Sequence, residues 1–193
     1  RMKIRRITIE NLTSLEGRHS VDFSSPPLAS AGLFAITGPT GSGKTTLLDA
    51  LCLALYNRTP RLGTRKRNAK LDDAEQQISQ SDPRNLLRRG CAFGAAEVAF
   101  EGRDGSIYTA VWSVQRAHRK PDGKLQQPEL TLYAGDHSPQ SQTPAHVVSS
   151  GKITETQTAI ELRIGLTFDQ FTRAVLLAQG DFAAFLHADD NER

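Results

Sequence analysis

One short segment of the chain, Gly38–Thr45, has the residue types and spacing of a phosphate-binding loop. Its sequence, Gly-Pro-Thr-Gly-Ser-Gly-Lys-Thr, matches the pattern G-x-x-x-x-G-K-[ST]. The glycines permit backbone conformations in which successive amide N–H groups converge on phosphate oxygens. Lys44 can extend to the β- and γ-phosphates, and the hydroxyl of Thr45 can bind magnesium. The segment therefore predicts a site for ATP and Mg²⁺.

The elements on either side of this loop are the ones that such a site requires. Gly32–Thr37 is a short apolar run typical of a strand, and Lys44–Tyr56 has leucines at helical spacing. A helix that begins at the loop directs the positive end of its dipole toward bound phosphate. A chance glycine-rich turn is the alternative, and average glycine usage of about 7% gives a random match in roughly one per cent of such chains. The strand–loop–helix order favours the nucleotide site.

Alternation of apolar and polar residues predicts the other strands. Lys3–Glu10 and His19–Phe23 form two strands joined through Asn11–Gly17. An antiparallel meander follows later in the chain, with turn signals between its strands. Its strands are Gly94–Glu101, Ser106–His118 and Glu129–Tyr133.

The segment between the helix and the meander is polar and basic. Arg58–Lys70 is rich in basic side chains and has no acid, and Leu71–Asn85 is polar and turn-rich, so we expect a mobile loop. Such a run is either a solvated loop or a contact for DNA phosphates, and the sequence leaves both open. In the meander, Tyr108, Trp112 and Val114 share one face of a strand, and we interpret them as core rather than as a base-stacking surface.

The final part of the chain is predicted to be mainly helical. A polar connection over Ala134–Ser150 precedes a helix from about Glu155 to Ile164, which Gly165 can end in the left-handed conformation. A turn of helix, an apolar strand and the start of another helix are then expected, in that order, at Phe168–Arg173, Ala174–Ala178 and Asp181–Leu186.

Composition describes an ordinary globular chain of 193 residues, with 38% hydrophobic and 23% charged residues. The net charge of +3 permits binding to nucleic acid without requiring it. No apolar stretch approaches the ~20 residues that span a bilayer, so we expect a cytoplasmic protein with no membrane partner. We predict one unit over 1–193, divided into the phosphate-loop sheet and helix (1–57), a basic loop (58–90), the β meander (91–135), a helical segment (151–188) and a tail (189–193).

Gln179 distinguishes among the proteins that share the phosphate-binding loop. A single glutamine is usually a surface residue, but this one follows the apolar run Ala174–Ala178 and lies beyond the meander. That order resembles the nucleotide-binding domains of the ABC ATPase class. In that class a glutamine after a strand reaches the magnesium and the attacking water.

Several stretches in one order narrow the resemblance to the N-terminal ATPase lobe of the bacterial SbcC family, SMC-like ATPases of DNA repair. They are Asn11–Leu15, Gly32–Gly41, Leu53–Tyr56, Thr59–Leu62 and Phe171–Leu186. The resemblance covers nearly the whole chain. It implies an α/β fold of the P-loop NTPase type, an ABC-ATPase-like N-terminal lobe in which a mixed sheet carries the loop beside an antiparallel β portion.

The resemblance also implies which residues form the site. Lys44 and Gln179 take part in catalysis, and Thr45 and Gln179 bind magnesium. Several relatives have arginine where this chain has Thr13, so we expect no charge-assisted phosphate contact from that position. The residues implied to bind the nucleotide, with the last two near the base, are Thr13, Ser14, Pro39, Thr40, Gly41, Ser42, Gly43, Lys44, Thr45, Thr46, Arg88 and Arg89.

The 193 residues contain no apolar strand that ends in paired acids and no L-S-G-G-type signature. The resemblance implies that both come from elsewhere: a C-terminal lobe of the same protein, joined through a coiled coil that begins near the tail, and a second head of the same kind. It further implies an SbcD-like nuclease as partner and double-stranded DNA as substrate. We therefore expect this part alone to bind ATP and to hydrolyse it negligibly.

Two other functions are compatible with the loop. One is a structural SMC-type ATPase that tethers DNA without a nuclease partner. The other is a free-standing P-loop kinase, which the absence of a second acidic motif and of a lid-like set of arginines disfavours.

Overall fold

The structure is a computed structural model that describes residues 2–30, 36–39, 41–63, 70–73, 76–138, 141 and 145–175. Several sequence predictions therefore lie outside the described residues. They are most of the strand at Gly32–Thr37, the loop residue Thr40, residues 64–69 of the basic segment, residues 176–178 of the strand at Ala174–Ala178, Gln179, the helix at Asp181–Leu186 and the tail.

Most of the described strands form one six-stranded sheet in the order β2-β1-β5-β6-β7-β8, and every pairing within it is antiparallel. A separate hairpin pairs β3 with β4. The strands are β1 (Lys3–Leu12), β2 (Leu15–Asp22), β3 (Lys70–Asp73), β4 (Gln76–Ser79), β5 (Phe93–Glu101), β6 (Ile107–Gln115), β7 (Glu129–Ala134) and β8 (His146–Ser149). The predicted meander is confirmed as β5, β6 and β7. The amino-terminal hairpin continues the same sheet, because β1 pairs with β5 in a register that places Ile7 opposite Val98.

Four α-helices are described: α1 (Lys44–Tyr56), α2 (Pro60–Gly63), α3 (Ile153–Ile164) and α4 (Phe168–Val175). Helix α1 lies against β1, β5 and β6 on one side and contacts α3. Its residues from Ala50 to Tyr56 are all buried, which explains why its apolar residues are not confined to a single stripe. None of the helices in the described ranges has the length and apolar content needed to cross a membrane.

The core lies between α1 and the sheet face that carries alternate residues of the central strands. Trp112 is fully buried and Val114 and Tyr108 nearly so, which confirms their interpretation as core. Cys52 on α1 is also fully buried, and burial raises the pKa of its thiol to about 12. It therefore behaves as a small apolar side chain.

The ends of two helices follow the sequence predictions closely. Gly165 follows α3 in the left-handed conformation, with φ 74°, and its N–H donates to Glu161 O. Asn57 ends α1 in the same conformation, with φ 50°, and its N–H donates to Leu53 O. Its side-chain oxygen accepts a 2.7 Å hydrogen bond from the indole N–H of Trp112, so the end of α1 is attached to the middle of the sheet.

The prediction of a loop throughout Arg58–Asn85 is wrong in part. Pro60–Gly63 is one turn of helix, and Lys70–Ser79 contains the β3–β4 hairpin, followed by a 3₁₀ turn at Pro83–Leu86. The hairpin is fixed by contacts distant in sequence, since Arg116 donates to both carboxylate oxygens of Asp73 at 2.8 Å. Local polarity carries no signal of such a contact.

Three further predictions of elements need correction. Strand β2 begins at Leu15 rather than His19, because its exposed edge position allows polar residues throughout. Strand β8 lies within the segment predicted as a polar connection. Ala174 and Val175, predicted to begin a strand, end helix α4, since a short apolar run does not distinguish the two structures.

Candidate phosphate site

The phosphate-binding loop leads directly into α1, and its conformation requires glycine. Gly41 and Gly43 have φ of 87° and 88°, in the left-handed region. At Gly43 a Cβ would also lie 2.9 Å from Cδ2 of Leu15. The loop therefore brings the backbone closer to its neighbours than a side chain would allow.

Lys44 is the first residue of α1, and its ammonium group turns back over the loop. Its Nζ donates to Gly38 O at 2.6 Å and to Pro39 O at 2.9 Å. The positive charge thus lies at the amino-terminal end of the helix, where the helix dipole has the same sign. Both features favour a bound anion at this position.

A cleft of about 260 Å³ opens at this end of α1, and we call it the phosphate cleft. It brings the loop together with the connection between β1 and β2, distant in sequence. Its lining residues are Thr13, Ser14, Gly41, Ser42, Gly43, Lys44, Thr45, Thr46 and Arg61. Of the residues predicted to bind nucleotide, Pro39 contributes its carbonyl to Lys44 and Thr40 lies outside the described part of the chain.

The wall opposite the loop is the β1–β2 turn, residues Thr13 and Ser14. Thr13 has φ 49°, and its N–H donates to Leu86 O at 2.8 Å. Its hydroxyl forms a hydrogen bond with the hydroxyl of Thr46, which is nearly fully buried at the start of α1. Thr13 therefore joins the turn to the helix through a contact between two neutral hydroxyl groups.

Arg61 was not predicted, yet its guanidinium lies on the wall of the phosphate cleft. Its Nη2 is 2.6 Å from Oδ2 of Asp49, a carboxylate whose side chain is only 4% exposed. The cation offsets part of the desolvation penalty of the buried carboxylate, which would be left unpaired without it. Arg61 belongs to the basic segment of the sequence, but nothing in that segment distinguishes it from the other arginines.

A second cleft, of about 580 Å³, adjoins the first and shares Thr13 and Arg61 with it. Arg88 and Arg89 line this second cleft, so the structure places both beside the phosphate cleft. The guanidinium of Arg88 is directed at the β1–β2 turn, whereas Arg89 is exposed. That either residue contacts a base stays a prediction.

The residues present fit a nucleotide with magnesium. The glycine conformations, the lysine ammonium and the start of the helix suit phosphate, and the half-buried Thr45 can offer a hydroxyl to the metal. Among the described residues there is no cluster of three or more histidine, cysteine or acidic side chains that could hold a metal ion by itself. Gln179, the other predicted magnesium ligand, lies outside the described residues.

The sequence model of the AAA domain family matches residues 6–193. The chain therefore belongs to the AAA domain family, and the predicted α/β fold of P-loop ATPase type is confirmed.

The resemblance to SbcC is confirmed over the full chain. The chain is 50% identical to a protein of Pseudomonas aeruginosa and 46% identical to one of Rhodobacter capsulatus, both named as the C subunit of the nuclease SbcCD. It is 29% identical, over 98% of its length, to a DNA double-strand break repair Rad50 ATPase of Methanopyrus kandleri. All of the chain matches the two bacterial proteins, and it spans 15% of their length and 17% of the archaeal one.

Proposed function

We propose that this chain is the ATP-binding lobe of an SbcC-type protein. ATP and magnesium bind in the phosphate cleft, close two heads into a dimer and thereby control an SbcD-like nuclease that acts on double-stranded DNA in repair and recombination. The observation that carries the proposal is the convergence of the glycine loop, Lys44 and Thr45 on one cleft at the start of α1. The names of the similar bacterial proteins support the nuclease complex.

Within the cleft, each residue has a role that follows from its chemistry. Lys44 would neutralise the β- and γ-phosphates, and the hydroxyl of Thr45 and the amide oxygen of Gln179 would hold magnesium. Bound magnesium would draw the phosphate oxygens toward itself and neutralise their charge. Gln179 would also orient the attacking water.

The second cleft is the proposed position of the nucleoside. It is continuous with the phosphate cleft through Thr13 and Arg61, and the exposed Arg89 lies on its wall. A guanidinium can stack on a base or donate hydrogen bonds to it. Replacing Arg89 with alanine should therefore weaken the binding of ATP more than the binding of inorganic tripolyphosphate.

Hydrolysis requires groups that these 193 residues lack. The carboxylate that polarises water would come from the C-terminal lobe of the same protein, and the contact to the γ-phosphate from a second head. ATPase activity is accordingly a property of the assembled complex. Co-purification with an SbcD-like metallonuclease would distinguish this function from that of a structural SMC-type ATPase.

Two basic stretches of the chain support the proposed contact with DNA. The first is the segment Arg58–Lys70, of which residues 64–69 lie outside the described part of the chain; in it the Cζ atom of the exposed Arg58 lies 4.5 Å from the centre of the Phe168 ring. The second is the connection between β6 and β7, where exposed basic side chains surround one acid. These basic side chains are His118, Arg119, Lys120 and Lys124. Phosphate contacts of this kind give affinity without sequence preference.

The ATP proposal is tested by measuring equilibrium binding of ATP and magnesium to the full-length protein. We expect Lys44→Ala to lower the affinity by at least about tenfold, because alanine cannot make a charge-assisted hydrogen bond to phosphate. Lys152→Ala is the matched control, since Lys152 is exposed and pairs only with Glu155 among the described residues. Equal affinity of the Lys44 variant and the wild type would refute the proposed site.

The DNA proposal is tested with two variants of the full-length protein. One replaces Arg65, Lys66 and Arg67 with alanine, and the other replaces Lys120 and Lys124. We expect weaker binding to double-stranded DNA and a flatter salt dependence, by roughly one counterion for each phosphate that is no longer neutralised. If both variants bind DNA as the wild type does across the salt range, this lobe does not bind DNA through these surfaces.

A further inference from the structure

We propose that Arg88 is a positioning residue of the phosphate cleft, whose guanidinium holds the β1–β2 turn against the phosphate-binding loop. This inference rests on the proposed function, because it assigns Arg88 to the phosphate end of the nucleotide site rather than to the base. It starts from the contacts that Arg88 makes and from the conformation of the turn that it contacts.

The β1–β2 turn and the end of β1 that leads into it have a backbone conformation that needs support. Asn11 and Thr13 both have φ 49°, which few residues other than glycine adopt. The Asn11 side chain donates to Phe93 O at 3.1 Å and accepts from the N–H of Gly17 at 2.8 Å. Such conformations persist only where the surrounding structure holds them in place.

Arg88 contacts this turn along its whole length. Its backbone N–H donates to Asn11 O at 2.9 Å, before the turn. Its Nη1 lies 3.4 Å from Thr13 O and 3.2 Å from Ser14 O, and its Nη2 lies 3.1 Å from Oε2 of Glu16, beyond the turn. One side chain thus provides hydrogen-bond donors to carbonyls that strand pairing leaves unused at a hairpin turn.

The position of the turn decides the shape of the phosphate cleft. Thr13 is hydrogen-bonded to Thr46 at the start of α1, and the side chain of Leu15 fills the space that a Cβ on Gly43 would need. Movement of the turn would therefore displace the wall that faces the phosphates.

The donors of Arg88 are directed at the turn, so removal of this side chain should affect all ligands that carry a triphosphate. The individual distances of 3.2 and 3.4 Å are at the long end for hydrogen bonds, which sets a modest scale for the effect. A base contact would give a different result, because inorganic tripolyphosphate has no base. The two roles are thereby separable.

The experiment measures the affinity of the full-length protein for ATP and for inorganic tripolyphosphate, both with magnesium. We expect Arg88→Ala to lower the affinities for the two ligands by the same factor, about five- to tenfold. Arg88→Lys, which retains the charge and can reach one carbonyl, should recover part of the affinity. Arg103→Ala is the matched control, because Arg103 is exposed at the β5–β6 turn and lines neither cleft.

Three results would overturn the inference. A weaker affinity for ATP with unchanged tripolyphosphate binding would assign Arg88 to the base. Unchanged binding of both ligands would show that the turn does not depend on this side chain. A lower free energy of unfolding with full affinity in the folded protein would leave Arg88 a purely structural role. If the alanine variant does not fold, the lysine variant is compared on the same two ligands, and an equal, smaller decrease in affinity is expected.

Binding of ATP by the wild type and the lower affinity of Lys44→Ala test the proposed function separately. If the wild type binds ATP but Arg88→Ala does not lower the affinities for ATP and tripolyphosphate by the same factor, only the inference about Arg88 is refuted.

Discussion

A single methyl group on Gly43, at the end of the phosphate-binding loop, would meet the side chain of Leu15, the residue that follows the β1–β2 turn. Gly43 combines a left-handed φ with a position where a Cβ would lie 2.9 Å from the Leu15 side chain. Gly41 has nearly the same φ but no heavy atom within 4 Å of an added Cβ. Alanine substitution at Gly41 therefore measures the free-energy cost of the left-handed backbone alone. The same substitution at Gly43 measures that cost together with the cost of the steric contact with Leu15.

We predict that Gly43→Ala lowers the free energy of unfolding by about 2 kcal/mol and Gly41→Ala by about 1 kcal/mol. The difference reflects the displacement of Leu15 and the turn that carries it. Denaturant unfolding without nucleotide measures both values. Equal decreases would mean that the turn accommodates the methyl group freely.

The same distinction applies to tripolyphosphate binding. Gly43→Ala should weaken the affinity more than Gly41→Ala, because only the first substitution moves the wall of the cleft.

At the scale of elements, α1 is held at both ends by residues from other parts of the fold. Its first turn is bound to the β1–β2 turn through the hydrogen bond between Thr46 and Thr13. At its other end, Asn57 follows the last residue of the helix and accepts a hydrogen bond from the indole of Trp112 in β6. Asp49 and Arg61 join its middle to α2. The helix that presents Lys44 and Thr45 is thus fixed relative to the sheet, which keeps the phosphate cleft in shape.

We predict that Asn57→Ala destabilises the protein by about 2–3 kcal/mol. The fully buried indole N–H of Trp112 loses its acceptor, and alanine is strained at φ 50°. Asn57→Gly removes the same acceptor without the backbone strain, so it should cost about 1 kcal/mol less. Urea unfolding of the three proteins measures these differences. A glycine variant less stable than the alanine variant would contradict this account of the helix end.

At the scale of the whole molecule, the phosphate cleft is one part of a larger proposed assembly. The chain spans 15% of the length of its two bacterial relatives, and its sequence contains no apolar run that ends in paired acids. ATP binding and ATP hydrolysis should therefore be separable by comparing residues 1–193 with the full-length protein.

We predict that residues 1–193 alone bind ATP and magnesium but show no turnover above background. The full-length protein with its nuclease partner should hydrolyse ATP, and Lys44→Ala should abolish that activity. Steady-state phosphate release measures both. Turnover by residues 1–193 that Lys44→Ala removes would contradict the composite site.

The sequence by itself determined the glycine-rich turn before α1, the start of α1, the meander and the end of α3 at Gly165. Each of these depends on residues close together in the chain, where glycine conformation, helical spacing and strand alternation act locally. The resemblance to SbcC also follows from the order of short motifs, and the AAA domain match and the similar bacterial proteins confirm it.

Only the tertiary structure decided how the cleft is completed. Thr13 and Ser14 had been predicted beside the nucleotide from resemblance, but Arg61 and the contacts of Arg88 with the turn had no signal in the sequence. The β3–β4 hairpin was missed for the same reason, since Arg116, the residue after β6, holds it through Asp73. Contacts between residues distant in the chain depend on how the sheet brings them together, and no local pattern of residue types encodes that arrangement.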